Sequence, residues 1–259
     1  DTYGNSGSKL SCTHDANAWP ADLYAGLPAP EEGGQVVLWV QNSHPCAIPA
    51  GSIGLRQTGQ QEFAFLDRDV PAFGSFPLNV ASLLPELKWP AQVEIQAGKH
   101  FVRPRYEVRS PSGRVCISHP NVERTDLAAD PGIAETGNQL GKGYLLPAPI
   151  LPVDRFCTKV LPTPMSTAQK NLPVAALLFD SDGRQIGKHA FGNLPRDHRA
   201  LLEVDALLKG PASSALSSGY GHVELVYDFA NGGTADGWLH GLFRYEDRIT
   251  GHGADTSFG

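Results

Sequence analysis

Short apolar stretches of strand length recur along the chain, and turn-forming residues separate them. Residues 36–40 form a continuous apolar run. In residues 222–229 polar and apolar side chains alternate, with Val223 and Leu225 on one face and His222 on the other. Such alternation indicates a half-buried strand, because side chains two apart lie on the same side. Helical periodicity is nearly absent, and 28 Gly and 21 Pro residues supply many turns. The sequence therefore predicts an all-β protein.

Three hairpin predictions follow from the turn residues. Strands within residues 100–109 and 114–118 flank a Pro-Ser-Gly turn, and strands at 173–180 and 184–191 flank a Ser-Asp-Gly turn. The third turn, Asn-Gly-Gly at 231–233, follows the alternating strand 222–229. It predicts that the next strand, residues 237–245, pairs with the strand before the turn.

A weak internal repeat is the most informative feature of the chain. Four short segments of the first half recur in the same order in the second half, at offsets of 139, 124, 130 and 139 residues: 36–40 with 176–179, 78–84 with 202–208, 93–94 with 223–224, and 105–107 with 244–246. This order predicts two tandem β-sandwich-like units related by internal duplication. The alternative is chance recurrence of short Val/Leu patterns, which β-proteins reuse.

The predicted organisation has four parts. Residues 1–34 are read as a polar N-terminal arm, 35–126 as the first β-sandwich-like unit and 172–259 as the second. Between the units, residues 127–171 contain six prolines among apolar residues, which indicates a Pro-rich connector packed against both units. The alternative architecture is one large barrel or sandwich in which both halves close a single sheet system.

The amino-acid composition limits the kinds of partner that we expect. The net charge of -6 is spread along the chain without a basic stripe, so we expect no nucleic-acid partner. No apolar run approaches the roughly 18 residues of a membrane span. The four cysteines lack zinc-site spacing and are predicted to be free thiols, with two disulfides as the alternative. The lack of an Asn-x-Ser/Thr sequon is consistent with a bacterial or intracellular origin.

Several catalytic motifs are missing from the sequence. It has neither a Gly-x-Ser-x-Gly elbow nor a His-Glu-x-x-His pair. The glycine-rich stretch 137–143 has three residues between its first two glycines, whereas a phosphate-binding loop needs four. No catalytic residue is assigned on this basis, and no cofactor is predicted.

A cationic cluster on the first hairpin is one candidate ligand site. Arg103, Arg105 and Arg109 share one strand face, since they are separated by even numbers of residues. Guanidinium groups bind carboxylates and phosphates through paired hydrogen bonds, so this face could receive an anionic ligand. The alternative is a solvated edge hairpin whose charges prevent aggregation.

The second candidate site combines imidazole and carboxylate groups. His222 and Glu224 lie on one strand face, and His240 falls on the strand predicted to be their neighbour. Such groups could hold a divalent metal ion or act as a general acid/base pair. The alternative is an ordinary polar sheet face.

These observations favour a non-catalytic protein that binds a small molecule or a protein partner. The predicted ligand is small and anionic or polyhydroxylated, in a groove between the units. The residues expected to line it are Lys142, Tyr144, Asp154, Arg155, Arg103, Arg105, His222 and His240. The alternatives are a hydrolase- or isomerase-like enzyme, with or without a metal, that uses His222, Glu224 and His240, and a structural or assembly subunit.

Overall fold

The computed structural model describes residues 2–4, 10–13, 23–97, 104–122, 128–133, 146–164, 166–208, 216, 219–236, 239–251 and 253–258. Nearly all regular structure in these residues is β, which confirms the predicted class. The strands are β1 (Thr2–Gly4), β2 (Leu10–Thr13), β3 (Leu23–Leu27), β4 (Gln35–Gln41), β5 (Gly54–Gln57), β6 (Ala64–Phe65), β7 (Ser75–Asn79), β8 (Ala91–Gln96), β9 (Arg105–Arg109), β10 (Val115–Ser118), β11 (Asn121–Val122), β12 (Leu146–Ile150), β13 (Phe156–Thr163), β14 (Asn171–Asp180), β15 (Gln185–Pro195), β16 (Leu202–Glu203), β17 (Gly221–Tyr227), β18 (His240–Asp247) and β19 (Gly253–Phe258). Short helical turns include Val80–Leu83, Val204–Leu207 and the 3-10 turn Phe229–Asn231.

The strands form small antiparallel sheets. Sheet I has the order β10-β9-β4-β7, sheet II β11-β3-β8-β5-β6, sheet III β12-β17-β14-β15 and sheet IV β16-β13-β18-β19. Strands β1 and β2 pair with each other in a two-stranded sheet. Each of the four larger sheets combines strands that are distant in the sequence.

The buried apolar residues form two hydrophobic cores, and each core contains mainly residues of two sheets. The first contains residues of sheets I and II, among them Tyr106 and Leu23, and the second contains residues of sheets III and IV, among them Val223 and Phe243. Burying one large apolar side chain stabilises the fold by about 1.5–3 kcal/mol. Leu161 and Leu242 belong to sheet IV but pack in the first core, so the two halves of the chain contact each other.

Two of the predicted hairpins are confirmed. Strand β9 pairs with β10, and β14 pairs with β15. Gly113 and Gly183 occupy the turns with φ values of +82° and +79°, where a residue without a Cβ avoids strain. The Asp180 side chain strengthens the second turn, because Oδ1 accepts from the Asp182 and Arg184 backbone N–H groups.

The arm and connector predictions need correction. Leu23–Leu27, inside the expected arm, is a fully buried strand between β11 and β8. The expected connector supplies β12 and β13, which pair in sheets III and IV. Its prolines misled the sequence interpretation because proline is tolerated at sheet edges. Pro147 and Pro149 lie in the edge strand β12.

The third predicted hairpin is wrong. Strand β17 pairs with β12 and β14 in sheet III, whereas β18 pairs with β13 and β19 in sheet IV. After β17 the chain forms the 3-10 turn and crosses to the other sheet before β18 begins. A glycine-rich turn by itself does not show which strands pair, because the connection here is long enough to change sheets.

Candidate functional site

In the arginine cluster predicted on the first hairpin, Arg109 has a carboxylate partner, Glu107, on the same strand. Arg109 Nε lies 2.6 Å from Glu107 Oε1, and Trp39 Nε1 donates to Glu107 Oε2 at 2.7 Å. Burial acts to raise the pKa of Glu107, but these hydrogen bonds outweigh it and hold that pKa below its usual value. Arg105 is exposed on the same strand, and Arg103 lies outside the described residues. The Arg109 guanidinium is therefore already engaged within the hairpin.

The predicted histidine and carboxylate set is divided between two sheets. His222 Nε2 lies 3.3 Å from Glu224 Oε1 on the outer face of sheet III, and the His222 ring stacks on Phe179 with centroids 5.0 Å apart. His240 lies in sheet IV, where its buried Nδ1 is 2.8 Å from Thr163 Oγ1. The expectation that His240 neighbours His222 is thus wrong. Within the described ranges, no three His, Cys, Asp or Glu side chains converge to hold a metal ion.

A groove at the junction of the two halves combines several charged side chains with an apolar wall, and the sequence interpretation missed it. We call it the junction groove. A charged part of about 430 Å³ adjoins a smaller apolar part of about 50 Å³. The charged part is lined by Glu31, Cys157, Lys159, Glu203, Arg244, Glu246, Asp247, Arg248 and Gly251. The apolar part shares three of these residues, Lys159, Arg244 and Glu246, and adds Pro28, Ala29, Leu161, Leu201 and Leu242.

Strand register explains why the charged residues converge. Across sheet IV, Glu203 is opposite Lys159, Lys159 is opposite Arg244, and Arg244 is opposite Asp255. Facing residues on antiparallel strands have their Cβ atoms about 4.5–5.5 Å apart, so the four side chains form one row. On the two central strands, β13 and β18, Leu161 and Leu242 lie opposite each other, two residues from Lys159 and Arg244. They lie on the same sheet face as the charged row and belong to the apolar part of the groove.

Ion pairs within the junction groove leave donors and acceptors side by side. Lys159 Nζ lies 2.8 Å from Glu246 Oε2, and Arg244 Nε lies 2.9 Å from Glu246 Oε1. Arg248 pairs with Asp205. At the groove's edge, a hydrogen bond from Arg155 lowers the pKa of Asp247 to about 2. Each cation that lines the groove therefore already has a carboxylate partner.

A buried carboxyl group lies beside the groove. The Asp255 side chain is fully buried, 3.7 Å from Arg244 Nε. Among the described residues neither of its oxygens has a hydrogen-bond partner. Burial raises the pKa of Asp255 to about 6. From the first half of the chain, the Cys116 thiol reaches the same region, with Sγ 3.8 Å from Arg244 Nη2.

His240 lies at the closed end of the same sheet face. Gly26, Tyr106 and His119 of the first half and Thr163 and His240 of the second half surround a cavity of about 10 Å³ there. This space is at the lower limit for a single water molecule. The junction is therefore closed at His240 and open at Arg244.

The groove residues could be recognised from sequence only if β13 was assigned as a strand. Cys157 and Lys159 alternate with buried residues along β13, and they lie opposite Glu246 and Arg244 of β18. Because β13 was interpreted as part of the connector, this pattern was not recognised. Lys142 and Tyr144, which were expected to line the groove, lie outside the described residues.

Two further sequence expectations concern thiols and membranes. Cys46, Cys116 and Cys157 are free, as predicted, and no disulfide joins them. In the part of the chain that the structure describes, no helix is long and apolar enough to cross a membrane.

No protein-family model matches the chain, and no curated protein matches its sequence. The solved structures that are similar include two β-glucuronidases and an adhesin. A Ruminococcus gnavus β-glucuronidase in complex with uronic isofagomine is 8% identical, with 95% of this chain and 36% of that chain covered, at a TM-score of 0.21. A β-D-glucuronidase from Dictyoglomus thermophilum is 9% identical, with 99% and 41% covered, at a TM-score of 0.20.

The third similar structure is the CupB6 tip adhesin from Pseudomonas aeruginosa. It is 8% identical, with 92% of this chain and 88% of that chain covered, at a TM-score of 0.18. The chain spans well under half of either glucuronidase. TM-scores near 0.2 carry no argument about fold or function, so function has to be inferred from the groove itself.

Proposed function

We propose that the chain consists of two tandem β-sandwich units related by internal duplication. Strand order supports this: when β3 to β10 are replaced in turn by β12 to β19, the order of sheet I becomes that of sheet IV, and β3-β8-β5-β6 of sheet II becomes sheet III. In both halves a helical turn follows the corresponding strand, Val80–Leu83 after β7 and Val204–Leu207 after β16.

Three of the four sequence matches agree with this correspondence. Val93 and Val223 lie on β8 and β17, and Tyr106 and Tyr245 lie on β9 and β18. Residues 202–208 match 78–84 around the helical turns. The fourth match does not agree, because residues 36–40 lie on β4, whose counterpart is β13, whereas residues 176–179 lie on β14.

We propose further that the protein is a non-catalytic binding protein whose ligand site is the junction groove. The observation that best supports this proposal is the cross-strand row of Glu203, Lys159 and Arg244 beside Glu246. A volume of about 430 Å³ lies in the range typical of small-molecule sites. Clefts between packed units are also preferred positions for such sites.

A neutral polyhydroxylated ligand fits this groove better than an anion. Lys159 and Arg244 both pair with Glu246, and Glu203 lies opposite Lys159, so an anion would have to displace a carboxylate to reach either cation. A hydroxyl group both donates and accepts, and it can bridge a carboxylate and an ammonium without separating them. Leu201, which is 38% exposed, and the exposed Ala29 offer an apolar surface to the C–H face of a sugar ring.

Three of the residues first considered for binding lie outside the groove. Arg105 and Arg109 lie on sheet I, and His222 on the outer face of sheet III. No specific observation favours the enzymatic alternative, because His222 and Glu224 are separated from His240 by the division between sheets.

Binding of defined glycans and simple anions tests this function. A glycan array, followed by calorimetry with the best neutral saccharide, would compare wild type with Glu203→Gln and Lys159→Met. Loss of one hydrogen-bonding group is expected to weaken binding by about tenfold. Glu62→Gln, which alters an exposed carboxylate elsewhere, is the matched control and should bind like wild type. Binding of phosphate or citrate but no neutral saccharide, or equal affinity in all variants, would contradict the proposal.

A further inference from the structure

The outer face of sheet II is covered by the second half of the chain. Arg196 Nη2 lies 3.5 Å from Glu94 Oε1, and its guanidinium stands over the Tyr24 ring at 5.8 Å. Gln92 donates to the Pro162 carbonyl at 3.2 Å and lies against His198. The covering surface is thus the loop after β15 together with the end of β13.

At the described residues the corresponding face of sheet III is more exposed, and we call it the open face. By the Val93/Val223 match, Glu224 occupies the position of Glu94, and His222 that of Gln92. His222 and Glu224 keep 37% and 18% of their side-chain surface exposed, whereas the Glu94 side chain keeps 7%. Tyr220 beside them is 53% exposed.

Apolar groups accompany the open face. Strand register places Pro149, His222 and Phe179 in one row, and Pro147, Glu224 and Leu177 in the next. Pro147 and Pro149 are exposed, and Phe179 is half-buried under the His222 ring. This patch combines the exposed Tyr220, the half-buried Phe179 and two exposed prolines with one carboxylate, and such a mixed apolar patch is typical of a protein-binding surface.

The first half also has a counterpart of the covering loop. In the first half, Leu66-Asp67-Arg68-Asp69 follows β6. In the second half, Leu194-Pro195 ends β15 and Arg196-Asp197 follows it. Arg68 therefore corresponds to Arg196. It is exposed and lies over the Phe76 ring at 4.5 Å, and Phe73 in the same loop is 72% exposed.

We infer that the open face of sheet III receives the Arg68 loop of a second copy of this chain. Within the chain, Arg196 contacts Glu94. Between copies, Arg68 of one copy would make the same kind of contact with Glu224 of the next. The inference rests on the duplication proposed above and concerns a surface separate from the junction groove. Because the two surfaces are different, the contact is head-to-tail and builds chains of copies rather than a closed dimer.

Charge exchange tests this contact. Sedimentation velocity from low-micromolar to sub-millimolar protein should show a weight-average coefficient that rises with concentration for wild type. Arg68→Glu and Glu224→Lys should each remove that rise, because like charges then face each other. An equimolar mixture of the two variants should restore association. In that mixture the substituted loop of one variant meets the substituted face of the other with opposite charge, and the two unsubstituted surfaces form the wild-type contact. Arg105→Glu, an exposed arginine on sheet I, is the control and should associate like wild type.

Three results would overturn the inference: a wild type that stays monomeric over the whole range, association that survives both single variants, or a mixture that fails to associate. Saccharide binding by the same variants separates this inference from the proposed function, because neither substitution touches the junction groove. Loss of association with unchanged saccharide binding is the expected combination.

Discussion

Arg196 in the second half of the chain lies 3.5 Å from Glu94 in the first half, and both side chains are largely buried. Glu94 also pairs with Arg56 of its own sheet. This contact joins the two halves through charge as well as through packing.

Removal of Arg196 is expected to destabilise the junction. Arg196→Ala leaves Glu94 with one cation fewer and also removes the bond that Arg196 Nη1 donates to the Ser166 carbonyl. We expect a loss of about 1–3 kcal/mol in the free energy of unfolding, measured in urea. Arg199→Ala, an exposed neighbour, should stay within about 0.5 kcal/mol of wild type. Equal effects of the two substitutions would show that the Glu94 contact contributes little.

Asp255 makes stability depend on pH. Its pKa is raised to about 6 by burial, whereas in the unfolded chain it is about 3.9. The folded state thus holds this proton more tightly, and this group's contribution to stability is present at low pH and is lost as pH rises through about 6. Asp255→Asn should therefore be more stable than wild type at pH 7, by about 1–3 kcal/mol, and should lose the gain on acidification. Thermal unfolding between pH 4 and pH 7 tests this, and an Asp67→Asn control should retain the wild-type slope.

His198 acts with the opposite sign. Burial lowers its pKa to about 4, so the imidazole is neutral in the folded protein, where Nδ1 accepts from the Ala200 N–H at 3.1 Å. The unfolded chain takes up its proton near pH 6.5, and stability falls as pH drops from there toward 4. In an Asp255→Asn background this decline should be visible, and adding His198→Gln should flatten it. A decline that persists after His198→Gln would assign the effect to another group.

The thiols should differ in reactivity according to their burial. Cys46 is exposed, whereas burial raises the pKa of both the Cys116 and the Cys157 thiols. Because the thiolate is the reactive form, Cys46 should react before Cys116 and Cys157 with Ellman's reagent in a native Cys12→Ser variant, which removes the fourth cysteine. Adding Cys46→Ser to this variant should remove the fast phase. A fast phase that remains in Cys12→Ser/Cys46→Ser would show that Cys116 or Cys157 is more accessible than this structure indicates.

The all-β class and two hairpins could be predicted from sequence because they depend on local signals. Alternation put Val223 and Leu225 inside, and glycines at positive φ marked the turns at Gly113 and Gly183. Strand β3 was missed because its five residues include Gly26 and carry no alternating polar face, being buried on both sides.

The junction groove could not be predicted, because it depends on pairing between distant strands. Lys159 and Arg244 are 85 positions apart in sequence and meet only because β13 pairs with β18 in one register. The prolines of β12 and β13 suggested a connector, and the turn after β17 suggested the wrong partner for β18. His222 and His240 were therefore placed together, although they belong to different sheets.

Chemical-shift mapping of the best neutral saccharide onto the labelled protein tests the central claim most directly. The account predicts that the perturbed resonances cluster at Lys159, Arg244 and Glu246, with little change at Arg105 or His222. Shifts concentrated on the β9–β10 hairpin or on the outer face of sheet III, with the groove resonances unchanged, would contradict it.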